Sequence, residues 1–305
     1  MAESSLDEGQ RQRALDALHI VGSLPEPEYD DIVTVAAAVC GTPMALVSLI
    51  DRDRQWFKAR SGVEGRQSER NLAVCDHAIR QPTQLMEVDD LAADTRFADN
   101  PLIKDLGARF YAGMPLVTEQ GAAIGSLCVI DVAPRALDAA QREALKALAR
   151  VTMSLMENRS RQRRQEVAAI IDHGTPAQPT DEPGNRRTIV LLEIQDLAEL
   201  SERLGERVLD RKLQQLDQTL EACMTADHGD SINRVTGSGE FVAVLHGDDV
   251  TGTLSMLEKA AADASSLLGS PLLIGTTTTS GKEPIHTAFL RAEAALSAAK
   301  DAARK

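Results

Sequence analysis

The feature that most constrains this chain is a long helical pattern followed by a segment that no helix can continue. The helical pattern begins at Asp138 and persists for about thirty residues. Residues 172–184 then contain three prolines and two glycines, which interrupt regular helix. The sequence therefore predicts a first domain at 10–158, a helical extension and Pro/Gly-rich linker at 159–186, and a second domain at 187–305.

Composition narrows the class of protein. The chain has 305 residues, with 33 Lys and Arg against 46 Asp and Glu, for a net charge of -13. Such an acidic chain disfavours nonspecific nucleic-acid binding, which depends on neutralising phosphates. It has no run of 18 apolar residues, and its first residues are acidic, so we expect no membrane association. Four cysteines without a Cys-x-x-Cys pair favour a reducing, cytoplasmic location.

The first domain has the pattern of an α+β fold. Helical periodicity covers 11–40 and is interrupted by two prolines in 23–27. Short apolar or alternating runs predict strands, and a short helix is expected near 75–80. The predicted strands are 44–50, 55–60, 109–117 and 122–132. Consecutive strands enclosed by helix-rich ends indicate α+β architecture.

The second domain alternates strands with helices around a hairpin. This order resembles a ferredoxin-like sheet. The predicted elements are a strand at 188–194, helices at 196–204 and 206–223, a hairpin at 231–245, a helix at 251–267, a strand at 271–279 and a helix at 284–303.

The hairpin carries the most informative motif of the second domain. Gly237, Ser238 and Gly239 separate two β-prone runs, and the second run starts with Glu240 and Phe241. This loop resembles the signature loop of GGDEF diguanylate cyclase domains, which have a nucleotidyl-cyclase-like fold, and the resemblance covers most of 187–305. It implies condensation of two GTP molecules to cyclic di-GMP with Mg²⁺.

The resemblance also assigns site residues, and two departures from the family mark the domain as degenerate. Glu193 and Glu240 match the metal-binding carboxylates, whereas Gly239 stands where the family has a further carboxylate. Ser201 replaces the usual guanine-reading Asn. The implied nucleotide-binding residues are Ser201, Asp210, Gly237, Lys300 and Arg304.

Five ordered segments of the first domain together resemble a GAF sensor domain over roughly 10–158. They are residues 45–58, 75–79, 94–101, 109–116 and 124–131. The resemblance implies a central antiparallel sheet, flanked by helices, with a ligand pocket whose ligand the fold does not determine. Cys75, His77, Tyr111 and Cys128 are the candidate pocket residues. The alternative is that the two thiols are small residues packed in the core.

The long helix suggests how two copies would pair. Leu145, Leu148, Thr152 and Leu155 follow coiled-coil spacing, which favours a homodimer through the GAF domain and the connecting helices.

Three functions remain open. The first, favoured by the degenerate signature, is a bacterial regulator in cyclic di-GMP signalling that binds nucleotide or a protein partner without catalysis. The second is an active diguanylate cyclase using GTP and Mg²⁺. The third is a redox or small-ligand sensor whose second domain only dimerises.

Overall fold

The computed structural model describes residues 7–172, 186–224, 229–279 and 283–303. The chain divides into two compact units: Met1–Val21 with Pro25–Ser160, and Gly22–Leu24 with Arg161–Lys305. Among the described helices, none combines the length and apolarity that a bilayer crossing requires. Each unit has its own sheet, as the sequence predicts.

The first unit is an α+β domain. Its elements are α1 (Glu8–Asp16), α2 (Pro27–Cys40), β1 (Met44–Ile50), β2 (Arg54–Ser61), β3 (Gln67–Glu69), a 3₁₀ turn (Arg70–Leu72), α3 (Val74–Ala78), β4 (Met86–Val88), α4 (Pro101–Asp105), β5 (Phe110–Val117), β6 (Ala123–Asp131) and the first part of α5 (Ala139–Asp172).

Six antiparallel strands form the sheet of the first unit, in the order β3-β2-β1-β6-β5-β4. All seven residues of β1 are buried and all but Ser48 are apolar, so the strand does not alternate between apolar and polar residues. The edge strands β3 and β4 have three residues each, too few to produce a sequence pattern. The predicted α+β fold with an antiparallel sheet flanked by helices is confirmed.

The second unit has a four-stranded antiparallel sheet in the order β10-β7-β9-β8, the ferredoxin-like arrangement. Its elements are β7 (Arg187–Ile194), α6 (Leu197–Leu204), α7 (Glu206–Glu221), β8 (Ser231–Arg234), β9 (Glu240–His246), α8 (Thr251–Leu268), β10 (Leu272–Thr278) and α9 (Ile285–Ala303).

Both faces of this second sheet are covered. Successive side chains of a strand point to opposite faces, and β7 supplies apolar residues to both. Val190 and Leu192 belong to a core formed with α6, α7 and α8. Ile189 and Leu191 belong to another core, which contains residues of α9 and Val167 of α5. The last turns of α5 are therefore part of the second unit's fold.

The long helix α5 runs beyond the predicted end of the first domain. The predicted extension from 159 is helical as far as Asp172, and the two units divide after Ser160. The Pro/Gly-rich remainder of the predicted linker lies largely outside the described residues. In the predicted dimer seam, Leu145 and Thr152 are buried, whereas Leu148 and Leu155 are half-buried. The homodimer stays a prediction.

A buried lysine is the most constrained charge of the first unit. The Lys58 side chain is 0% exposed, and its Nζ donates a hydrogen bond to Glu26 Oε1 over 2.7 Å. Arg159 Nε donates to the same oxygen over 2.9 Å. Burial lowers the pKa of Lys58 to about 8, against the opposing attraction of Glu26.

We predict opposite effects for the two partners of this ion pair. Lys58→Met removes a buried ammonium while Glu26 keeps Arg159, so the free energy of unfolding at neutral pH should stay within about 1 kcal/mol of wild type or rise. Glu26→Gln removes the negative charge that faces both cations, and it should lower the free energy of unfolding by about 3 kcal/mol. Urea unfolding followed by the fluorescence of Trp56, the single tryptophan, measures both.

The pH dependence provides a separate check. Because the folded-state pKa of Lys58 is depressed, the unfolded chain binds more protons between about pH 8 and pH 10, and stability from this group rises across that window. The free energy of unfolding of wild type should therefore increase relative to that of Lys58→Met as pH rises. Equal destabilisation by both substitutions at neutral pH would contradict this account.

Candidate functional site

The two predicted metal ligands lie directly opposite each other. Glu193 of β7 pairs in register with Glu240 of β9. Strand alternation places Glu193 on the same face as Leu191, and Glu240 on the same face as Val242, which is the face covered by α5 and α9. Like charges directly opposite on neighbouring strands are destabilising, so this arrangement requires nearby cations.

The first cation is Arg163 of α5. Its Nε donates to Glu240 Oε2 over 2.7 Å, and its Nη2 donates to the other oxygen, giving a bidentate pair. The same guanidinium contacts Glu293 Oε1 of α9 over 3.3 Å. The side chains of Arg163 and Glu240 are only 8% and 5% exposed. Burial opposes the charge, but the three surrounding glutamates outweigh it and raise the pKa of Arg163.

The second cation is Lys300 of α9. Its Nζ donates to Glu193 Oε2 over 2.7 Å. The resemblance assigns Lys300 to a phosphate, whereas in the structure its ammonium faces a carboxylate. Each predicted metal ligand is thus paired with a positively charged side chain of the protein.

These residues do not fit a divalent metal. Mg²⁺ needs carboxylate oxygens that are open to the ion and its waters. Here a guanidinium occupies the space at Glu240, and an ammonium occupies that at Glu193. Throughout the described part of the chain, no group of three or more His, Cys, Asp or Glu side chains could hold a metal ion.

The signature loop is packed against its surroundings. Gly237 has a φ of +66°, which glycine adopts without strain. A Cβ on Gly239 would lie 3.0 Å from Ile194 Cβ and 3.3 Å from a Leu197 methyl, so a carboxylate residue there would require these neighbours to shift. Ser238 Oγ donates to Val235 O over 2.8 Å and closes the turn.

The loop is also tied to α5. Glu166 Oε1 accepts hydrogen bonds from the backbone N of Thr236 over 2.9 Å and from its Oγ1 over 2.7 Å. Arg163 holds Glu240 at the other end of the loop. Two residues one helical turn apart therefore fix both ends of the signature loop.

The remaining predicted nucleotide residues lie elsewhere. Ser201 of α6 is buried, whereas Asp210 of α7 is exposed and accepts a hydrogen bond from Gln214 over 3.4 Å. Both helices cover the sheet face opposite to the glutamates. Phe241 is a core residue on that same face. Arg304 lies outside the described residues.

The sequence analysis did not single out Arg163 as a site residue. Ser160, Arg163, Val167 and Ile171 are all buried and follow helical spacing along one stripe of α5. An arginine in register with Val167 and Ile171 is the signal that could have found it.

The first unit contains a cavity of about 80 Å³. Two of the candidate pocket residues, Cys75 and Tyr111, line it together with apolar residues such as Phe57. Exposed Glu64 and Gln67 also line it, so the cavity reaches the surface. The two other predicted pocket residues have different positions. His77 packs edge-on against Phe97, with ring centroids 4.9 Å apart, and Cys128 lies behind Cys75.

A buried polar cluster forms the inner wall of this cavity. The Sγ atoms of Cys75 and Cys128 are 3.7 Å apart. Tyr111 OH donates to Cys75 Sγ over 3.3 Å and lies 3.3 Å from Ser126 Oγ. A Cβ on Gly113 would fall 2.2 Å from the Tyr111 hydroxyl oxygen, so glycine is needed for Tyr111 to reach this position.

The two thiols have opposite electrostatic environments. The Cys128 thiol and the hydroxyls of Ser126, Tyr111 and Ser48 stabilise a thiolate at Cys75 and lower its pKa, although burial opposes this effect. The same interaction with Cys75, followed by burial, raises the pKa of Cys128 well above its usual value. By contrast, burial raises the pKa of Cys40.

Solved structures similar to this chain include sensor domains and a cyclase. The blue-light-absorbing form of the Thermosynechococcus elongatus PixJ GAF domain is 15% identical, with a TM-score of 0.39, and the match covers 56% of this chain and 100% of that one. Diguanylate cyclase SiaD of Pseudomonas aeruginosa, in complex with its activator SiaC, is 20% identical, with a TM-score of 0.33, over 47% of this chain and 53% of that one.

One relative matches less than half of this chain's length. A cyclic di-GMP phosphodiesterase of Pseudomonas aeruginosa is 41% identical over 130 residues, which are 42% of this chain. The match spans only 22% of that relative's length. Residues 25–154 match the family model described as GAF domain. This match confirms the resemblance drawn from the sequence, and the first unit of the chain is therefore a GAF domain.

Proposed function

We propose that this chain is a bacterial signalling protein in which a GAF sensor domain is joined to a degenerate GGDEF domain that makes no cyclic di-GMP. In this proposal the second domain acts through a bound nucleotide or a protein partner. The similarity of 130 residues to a cyclic di-GMP phosphodiesterase supports a place in cyclic di-GMP signalling.

The observation that carries the proposal is the ion pair between Arg163 and Glu240. A cyclase needs a metal to stabilise the charge that develops on the transferred phosphate. In this chain the protein's own guanidinium neutralises one candidate ligand, and Lys300 neutralises the other. Gly239 supplies no replacement carboxylate. The site lacks open metal ligands, and this favours a regulator over an enzyme.

The second domain could still respond to a nucleotide without catalysing a reaction. Asp210, which the resemblance assigns to guanine reading, is exposed, and a Cβ on Gly237 would meet no atom within 4 Å. A nucleotide bound in this region without metal would act as a signal rather than as a substrate. Titration of the full chain with a fluorescent GTP analogue, with Asp210→Ala as control, distinguishes this mode from action through a protein partner.

The first test is the catalytic one. Purified full chain incubated for a prolonged time with GTP and Mg²⁺ or Mn²⁺ should yield no cyclic di-GMP by chromatography, because neither glutamate is open to a metal. Glu240→Ala serves as the control. If wild type formed product and this variant did not, the chain would be a cyclase that works without a carboxylate at position 239.

A second prediction concerns Arg163 as the resident cation. Arg163→Met should destabilise the second domain by about 3 kcal/mol, because Glu240 is left buried without its counterion. Millimolar Mg²⁺ should restore part of the loss in this variant and leave wild type unchanged, because only the variant leaves Glu240 without its guanidinium. Scanning calorimetry of the full chain, with and without Mg²⁺, measures both effects.

The matched control for this experiment is Arg164→Met. Arg164 is the next residue of α5 and is exposed. Its loss should change stability by less than about 0.5 kcal/mol and confer no response to Mg²⁺. Stabilisation of wild type by Mg²⁺ to the same extent as Arg163→Met would show that the metal does not compete with the guanidinium.

A further inference from the structure

The polar cluster behind the GAF cavity has features that core packing does not require. Two thiols approach within 3.7 Å, and one of them also accepts a hydrogen bond from a buried tyrosine hydroxyl. Cys75 lines the cavity, whereas Cys128 lies on the interior strand β6, behind it. The Cys75 thiol therefore borders the cavity, whereas Cys128 is not among the residues that line it.

From this geometry we propose that Cys75 and Cys128 form a redox-active dithiol, in which Cys75 reacts with a small hydroperoxide entering the cavity and Cys128 resolves the product to a disulfide. This site lies within the GAF domain and adds an oxidant input to the signalling role. It does not depend on whether the second domain makes cyclic di-GMP.

The chemistry balances with hydrogen peroxide as the oxidant. The Cys75 thiolate attacks one peroxide oxygen, the O–O bond breaks, and the leaving hydroxide takes a proton to form water, so that Cys75 becomes a sulfenic acid. The Cys128 sulfur then attacks the Cys75 sulfur, the S–O bond breaks, and a second water leaves with the Cys128 proton. In total, two thiols are oxidised to one disulfide, and one peroxide is reduced to two waters.

The surroundings of Cys75 suit the first step. The hydroxyl of Tyr111 is within hydrogen-bond distance of its sulfur, and Cys128 is on the other side. These groups favour the thiolate, which is the nucleophilic form. Cys40 and Cys223 are the two other cysteines of the chain, 1% and 9% exposed, and burial raises the pKa of each. They serve as internal references for the reactivity of a buried thiol whose surroundings do not favour the thiolate.

The second step requires a small movement. A disulfide has an S–S length of about 2.05 Å, so the two sulfurs must approach from 3.7 Å. Strand β6 is hydrogen-bonded to β1 on one side and to β5 on the other, which holds Cys128 in place. Cys75 belongs to α3, a helix of only five residues. The movement therefore falls on α3, and it withdraws the Cys75 sulfur from the cavity wall.

The test uses the reduced full chain, treated with hydrogen peroxide at pH 7, then unfolded, alkylated and mapped by mass spectrometry. We expect an intrachain peptide pair linked through Cys75 and Cys128. Cys75 should be consumed at least about tenfold faster than Cys40 or Cys223, as expected when only one thiol has a favoured thiolate. Cys128→Ser should stop at a Cys75 sulfenic acid that a dimedone reagent traps, and Cys40→Ser should behave as wild type.

Equal consumption of all four thiols would overturn the proposal, as would a linked pair that appears only when the chain is unfolded before peroxide is added. A Cys128 that oxidises at the wild-type rate in Cys75→Ser would also overturn it, because Cys75 would not be the attacking group. The wild-type peptide map decides the question even if a serine variant fails to fold.

Discussion

The second domain depends on the ion pair that Arg163 makes with Glu240. Register sets two glutamates opposite each other on neighbouring strands, beneath helices that exclude water from Glu240. Such a pair of carboxylates is tolerated only with cations between or beside them. The end of α5 supplies one of these cations and also contributes Val167 and Ile171 to the core. This helix is therefore a structural component of the domain it precedes.

In the sheet of the GAF domain, one group of buried polar side chains is also held by partners, but these partners are uncharged. Ser48, Ser126 and Gln55 are buried in its sheet, and Gln55 Nε2 donates to Ser48 Oγ over 2.6 Å. Buried polar atoms of this kind need partners close by. The thiol of Cys75 and the hydroxyl of Tyr111 continue this polar layer to the cavity. The layer combines structural hydrogen bonding with groups whose chemistry a small molecule can reach.

The sequence was informative wherever hydrophobic pattern alone decides structure. Runs such as 44–50 and 188–194 predicted strands that the structure contains within a residue or so. The structure sets Glu193 opposite Glu240, and their assignment as metal ligands stays a prediction. The pattern could not identify β3 or β4, which are held by strand pairing rather than by periodicity. The pattern could place Arg163 on the buried stripe of α5, but it could not identify Glu240 as its partner, because that pairing is set by tertiary packing over 77 positions of chain.

The choice of arginine at position 163 has a consequence for how the closed site can respond to its surroundings. A guanidinium keeps its proton at any pH a cell experiences, unlike a histidine or a buried lysine. Acidification or alkalinisation within that range cannot discharge the cation that covers Glu240. Opening the site therefore requires that Arg163 part from Glu240 with both charges intact, while Glu166 of the same helix holds the other end of the loop.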